Sequence, residues 1–243
     1  MKKYKIFCLC IFFFVFILVK NGYSLYLTDF VAFGDSHTSG VYGIKGYVDD
    51  FKNLMGLEYN DIYNPGIWGE NTFQGYYRFK SVLVYRKPKY VVILEGANDI
   101  NRGFTINGIA IRIYYMTNIA KRLGVLPIVM TIPRMYNRNG IYASRVDLLN
   151  YYLKIYSVRY NFLLVDVSKY IGKELIDSGG VHLTDSGYRI MAQQLYFDIA
   201  RFYFSKLTST EKINQINDDV FNNQNLSDDE KIDIIRRIII WND

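Results

Sequence analysis

The sequence predicts an α/β fold, a parallel sheet of five strands covered by helices on both faces. Three observations carry this. Compact apolar runs, Tyr90–Leu94 (YVVIL) the clearest, are short enough for strands and lack the alternation of a half-exposed sheet. Between them lie segments with apolar residues at helical spacing. The regular strand-then-helix alternation requires right-handed crossovers, which put helices on both sides of the sheet.

The first strand is Phe30 to Phe33, followed by the turn Gly34-Asp35-Ser36. A glycine-punctuated stretch from Gly40 to Gly46 leads into a short helix through Phe51 and Leu54. Asp61 to Asn64 reads as the second strand, and Pro65-Gly66-Ile67-Trp68-Gly69 as a sharp turn after it. A helix over Thr72 to Tyr85 is closed by Pro88, ahead of the third strand at Tyr90 to Leu94. The next helix carries Ile109, Ile113, Met116, Ala120 and Leu123 on one face. Leu126 to Thr131 is the fourth strand, Ser144 to Arg159 a helix, and Phe162 to Val167 the fifth strand. A glycine-bearing loop from Asp177 to Thr184 precedes a last core helix with Tyr188, Ala192, Leu195, Ile199 and Phe202 on one face.

The two ends read differently. Residues 1–24 open with Lys2, Lys3 and Lys5, continue in an unbroken apolar run from Ile6 to Val19, and end in Gly22-Tyr23-Ser24. That order of charge, apolar core and small residues is that of an export signal, and the run falls short of the roughly 20 residues of a membrane span. Cleavage is expected after Ser24; an uncleaved anchor, which would hold the protein at a membrane, is the rival reading. Residues 25–206 form the main domain. Residues 207–243 are a polar, asparagine-rich connector and an amphipathic helix opened by Ser227-Asp228-Asp229-Glu230, a capping box.

Composition narrows the function. The net charge of +6 suggests a nucleic-acid partner, but four of the basic residues (Lys2, Lys3, Lys5 and Lys20) belong to the N-terminal segment, which holds no acid. The rest is close to neutral and shows no basic cluster interleaved with aromatics, so no nucleic-acid partner is expected. Both cysteines, Cys8 and Cys10, sit in the apolar run. The main domain therefore has no thiol for a disulfide, a nucleophile or a metal site, and neither cysteine has the small residue before it that lipid attachment needs.

Chemistry is expected where the strands end, since ligands of an open parallel sheet bind outside its carboxyl edge. With the order 2-1-3-4-5, strands two and three flank strand one, bringing Gly69 and Asn98 to either side of Ser36. A hydroxyl becomes a useful nucleophile when an imidazole takes its proton, and the resulting oxyanion needs N–H donors waiting. Only two histidines are present. His37 adjoins Ser36, so its side chain should diverge and line the site; His182 comes from a separate loop and can approach the hydroxyl.

Four blocks, FGDSHTSG, NPGIWGENT, LEGAND and GGVHLTDSGY, resemble those of the SGNH (GDSL) hydrolase family in order and spacing, over about Phe30 to Tyr203. The resemblance implies a flavodoxin-like three-layer fold, Ser36 as nucleophile, His182 as general base, and an oxyanion hole from the amides of Ser36 and Gly69 with the side chain of Asn98. It implies no metal or organic cofactor. One departure matters: the family's aspartate three residues before the histidine is here Gly179. Asp177 is the preferred substitute; Asp166, a main-chain carbonyl, or a site without activity are the alternatives.

The expected function is an exported serine esterase acting on a small acyl ester of a glycan or lipid. An acyltransferase to a sugar hydroxyl and an inactive binding domain of the same fold are the alternatives. His37, Trp68 and Phe104 are expected to bind substrate, with Tyr42 and Tyr136 as further rim aromatics.

Overall fold

The computed structural model describes residues 30–40, 45–55, 62–136 and 141–206. The expected export signal with its two cysteines, Tyr42 and the expected C-terminal helix lie outside the described residues. The chain divides into two compact units, residues 27–198 and a second made of 1–26 with 199–243. The account below concerns the first.

Five parallel strands form one sheet in the order β2-β1-β3-β4-β5, as the sequence predicts. They are β1 (Phe30–Gly34), β2 (Ile62–Tyr63), β3 (Tyr90–Leu94), β4 (Leu126–Met130) and β5 (Leu163–Val165). The helices are α1 (Ser36–Ser39), α2 (Tyr47–Met55), α3 (Thr72–Arg86), α4 (Ala97–Asn101), α5 (Ile106–Arg122), α6 (Ala143–Tyr160) and α7 (Asp185–Lys206). Strands β2 and β5 are shorter than predicted, because an edge strand pairs along one side only.

The register explains the apolar runs. Val31 pairs with Val91, Phe33 with Ile93 and Gly34 with Leu94; β1 and β3 are central strands buried on both faces, so no polar alternation can appear. Burying each such side chain contributes roughly 1.5 to 3 kcal/mol. Helix α3 packs on α5 and α5 on α6, forming one layer. The first crossover runs the opposite way along the sheet, from β1 to β2, so the same right hand puts α2 on the other face.

Local chemistry then fixes the ends near the rim. Asn71 caps α3: its Oδ1 accepts from the amides of Phe73 and Gln74, while the Gln74 side chain accepts from the Asn71 amide. This reciprocal box contributes about 1 kcal/mol and holds the chain just ahead of it, Gly69-Glu70, at a set angle. Gly34 admits no other residue, since an added Cβ would stand 2.3 Å from Thr38 Oγ1 and 2.4 Å from the Leu94 carbonyl oxygen. That close passage lets β1 turn directly into α1.

Candidate active site

Ser36 is the first residue of α1, and Asp35 is its cap, accepting from the His37 amide at 3.0 Å. The first amides of a helix have no partner within it, so the Ser36 N–H is directed out of the turn. Across the rim the loop after β5 returns, and His182 Nε2 lies 2.9 Å from Ser36 Oγ. Residues 146 apart in sequence are thus within proton-transfer distance. Ser36 is buried while the His182 ring is half-buried, so the hydroxyl is shielded and the imidazole faces the opening.

Gly69 occupies the turn between β2 and α3 with φ +75°, a conformation that other residues adopt only with strain. Its carbonyl accepts from Arg102 Nη2 at 2.9 Å. Asn98, in the first turn of α4, directs Nδ2 to Asp35 Oδ2 at 3.0 Å and to the Glu70 carbonyl at 2.8 Å. Both amide hydrogens are therefore engaged, and Asn98 ties the nucleophile turn to the Gly69-Glu70 turn. Asn98 therefore stands between the residues that flank Ser36 and Gly69, with an amide that is not idle.

The histidine loop is a tight structure of its own. Ile176 and Leu183 form an antiparallel bridge, the Asp177 amide donates to the His182 carbonyl at 2.8 Å, and the Gly180 amide donates to the Asp177 carbonyl at 3.0 Å. Asp177 Oδ2 stands 3.9 Å from His182 Nδ1, beyond a hydrogen bond but within ion-pair range. A Cβ on Gly179 would lie 3.3 Å from that same Asp177 oxygen. Asp177 thus occupies the space into which a side chain at 179 would project. Asp166 is used elsewhere: it accepts from Thr131 and Ser168 and pairs with Lys154 at 2.6 Å.

His37, expected to line the site, is 1% exposed. Its ring stands behind that of His182, with centroids 5.4 Å apart and Nδ1 3.4 Å from the Tyr188 hydroxyl. Burial pushes its pKa down to about 3, so it remains neutral and adds no charge beside the base. Of the expected substrate residues, Trp68 projects into solvent next to Gly69. Phe104 lines a hollow of about 560 Å³ with Phe73, Gly103, Thr105 and Arg112. Tyr136 is half-buried, and its amide donates to the Gly180 carbonyl at 2.7 Å, bracing the histidine loop.

Sequence reasoning missed a buried acidic group beneath the rim: Asp35, Glu70, Glu95 and Asp99. Asp99 accepts from the Thr72 amide at 2.7 Å and from Arg112 Nη2 at 3.2 Å. Glu70 takes Arg78 Nε at 2.6 Å and its Nη2 as well. Asp35 has no cation among these partners, and burial above all pushes its pKa up to about 7. The available signal was Glu95 directly after YVVIL, since a residue following a strand buried on both faces starts out under cover.

A doubly covered parallel sheet that holds a serine hydroxyl against an imidazole at its carboxyl rim is an arrangement suited to a hydrolase of esters. Residues 32–190 match the model of the GDSL-like Lipase/Acylhydrolase family, and the chain belongs to that family. A curated relative, the "Uncharacterized lipoprotein YqeF" of Bacillus subtilis, is 29% identical over 170 residues, covering 62% of this chain and 70% of its own. The lipase/acylhydrolase of Enterococcus faecalis superposes with a TM-score of 0.61 at 26% identity, covering 70% of this chain and 94% of its own. The GDSL-like lipase of Bacteroides thetaiotaomicron does so with a TM-score of 0.62 at 21% identity, over 72% and 89%. Axe2, an acetylxylan esterase from Geobacillus stearothermophilus, gives 0.60 at 21% identity, over 71% and 94%.

Proposed function

We propose that the protein is an exported serine esterase that removes a small acyl group from a glycan or lipid through an acyl-enzyme on Ser36. The observation that carries this reading is the 2.9 Å approach of Ser36 Oγ to His182 Nε2. Ser36 Oγ attacks the ester carbonyl carbon as its proton passes to His182. The carbonyl oxygen becomes an oxyanion met by the amides of Ser36 and Gly69, and by the Asn98 hydrogen that otherwise goes to Asp35. His182 then protonates the departing alkoxide. In the second half His182 takes a proton from water, the hydroxide oxygen bonds to the acyl carbon, and the acid leaves as Ser36 recovers its proton.

Asp177 serves as the acid that orients His182 and offsets the charge it gains. Burial lowers the His182 pKa, and Asp177 raises it in part. The base is therefore neutral, and competent, at neutral pH. Export rests on residues 1–24, and a relative called a lipoprotein agrees with it. Exposed Trp68 and the Phe104 hollow supply surfaces for the rest of the substrate. An acetylxylan esterase among proteins of like fold makes an acetyl group on a sugar the first ester to test. A sugar hydroxyl in place of water would make the same site an acyltransferase.

The 3.9 Å gap between Asp177 and His182 favours one second reading, a binding domain of the same fold without turnover. A fluorophosphonate probe separates the two. Labelling of the wild type that is abolished in Ser36→Ala is the expected result; an unlabelled wild type at neutral pH favours the binding domain. Comparing acetyl with octanoyl nitrophenyl esters then tells a short-chain deacylase from a lipid-directed one.

A further inference from the structure

Glu95 has no place in the chemistry above, yet it stands directly beneath it. It is 2% exposed, and among the described residues neither of its carboxyl oxygens meets a hydrogen-bond donor. Instead it shares the Phe33 ring with Arg78, the residue that holds the Glu70 carboxyl, so the two carboxyls lie side by side. The side chain is wedged against bare backbone: a Cβ on Gly75 of α3 would come within 3.1 Å of Glu95 Oε1 and 3.3 Å of the Phe33 ring. Two carboxylates in contact without solvent cannot both remain ionised, so the pair must hold a proton.

The neighbours say which member holds it. Arg78 grips Glu70 with two N–H groups and stacks on Phe33, its guanidinium carbon 4.0 Å from the ring centroid, so Glu70 already meets a cation. The groups facing Glu95 from the surrounding elements are Asp35 after β1, Glu70 before α3 and Asp99 on α4. The two cations of the cluster, Arg78 and Arg112, are bound to Glu70 and Asp99. Among the described residues no cation is left for Glu95, and burial, Asp35 and Glu70 all raise its pKa well above the usual carboxyl range.

We propose that Glu95 is held as the neutral acid and donates its proton to Glu70, and that this bond positions the Gly69-Glu70 turn and the Asn98 amide. The route is short: the Glu70 carbonyl is the acceptor of Asn98 Nδ2 at 2.8 Å, and Gly69 precedes it in the chain. Ionising Glu95 sets two negative charges face to face and pushes this turn out of place. Glu95 is thus a positioning residue, acting through Glu70, and its effect on turnover rests on the ester reading above.

Two variants of the full chain test this. Glu95→Gln keeps an uncharged donor of the same shape; Glu95→Leu removes the donor. Because the folded-state pKa of Glu95 is raised, wild-type stability falls as pH rises above its unfolded value of about 4.3, while Glu95→Gln lacks this loss. The urea midpoint of Glu95→Gln should therefore gain on that of the wild type as pH rises above about 5. Midpoints that change in parallel overturn the neutral acid.

The backbone amide of Gly69 and the side-chain amide of Asn98, followed by NMR, should shift in Glu95→Leu and stay near wild type in Glu95→Gln. Unmoved resonances in Glu95→Leu overturn the positioning role. If Glu95→Leu does not fold, the same resonances should move with pH in the wild type and not in Glu95→Gln. A donor displaced costs less than one lost, so fluorophosphonate labelling should slow about tenfold in Glu95→Leu, and Glu95→Gln should restore most of it. A wild type that does not label removes the ester reading, while the urea and NMR results still decide on Glu95.

Discussion

The two walls of the site are built on different plans. On the nucleophile wall, Asp35, Ser36 and Thr38 are buried, Gly34 fits without room for another atom, and Asn98 spends both amide hydrogens on joining one turn to the next. On the base wall, His182 hangs from a short loop, half-buried, with Asp177 Oδ2 3.9 Å from Nδ1. The first wall is rooted in strand ends β1 and β3, whose register the sheet dictates. The second depends on local bonds within residues 176–183. Precision near the hydroxyl is thus inherited from the sheet, and the loop can change its parts at smaller cost.

That contrast can be broken most severely at Asn98. Asn98→Ala removes an oxyanion donor and leaves Asp35 Oδ2 without its partner, so kcat should fall on the order of 10²- to 10³-fold. A loss below threefold in nitrophenyl acetate turnover would mean that the nucleophile wall does not depend on this amide. On the base wall, Asp177→Ala should cost about tenfold to a hundredfold, less than the loss of about 10⁴ seen when a tightly hydrogen-bonded aspartate is spoiled in a protease. Adding Gly179→Asp to that variant should recover part of the activity, because a side chain at 179 projects into the space vacated. No recovery would show that the loop holds its acid in one way only.

The smallest effect is a shift in pH dependence. Asp177 raises the His182 pKa against the lowering by burial. Asp177→Asn removes the charge, so the His182 pKa falls and the acid limb of kcat/KM moves to lower pH, by about a unit or less. An acid limb that stays in place would show that Asp177 acts by shape alone.

The strands were legible because β1, β3 and β4 are uninterrupted apolar runs that only a doubly covered strand tolerates, and their order followed from the family resemblance. The convergence of Ser36, Gly69, Asn98 and His182 was legible because all four follow strand ends. Asp177 could be singled out because the adjacent Gly179-Gly180 lets the loop fold back. The burial of His37 was not, since one further residue in a helix turns the side chain by about 100° and adjacency alone does not give the direction. Nor was the contact of Glu95 with Glu70, which joins the end of β3 to the turn before α3 and leaves no periodic trace. Nothing in one sequence tells that two acids meet.

The overlap of Asp177 with the space beside Gly179 has a consequence for descent. On the proposed role of Asp177, one place next to the imidazole can be served from either of two positions in the chain. A lineage can therefore move its acid from the one to the other through a stage that bears it at both, without passing through a dead enzyme. A missing letter in a family signature then marks a relocated part, and the place to look for it is the volume it used to fill.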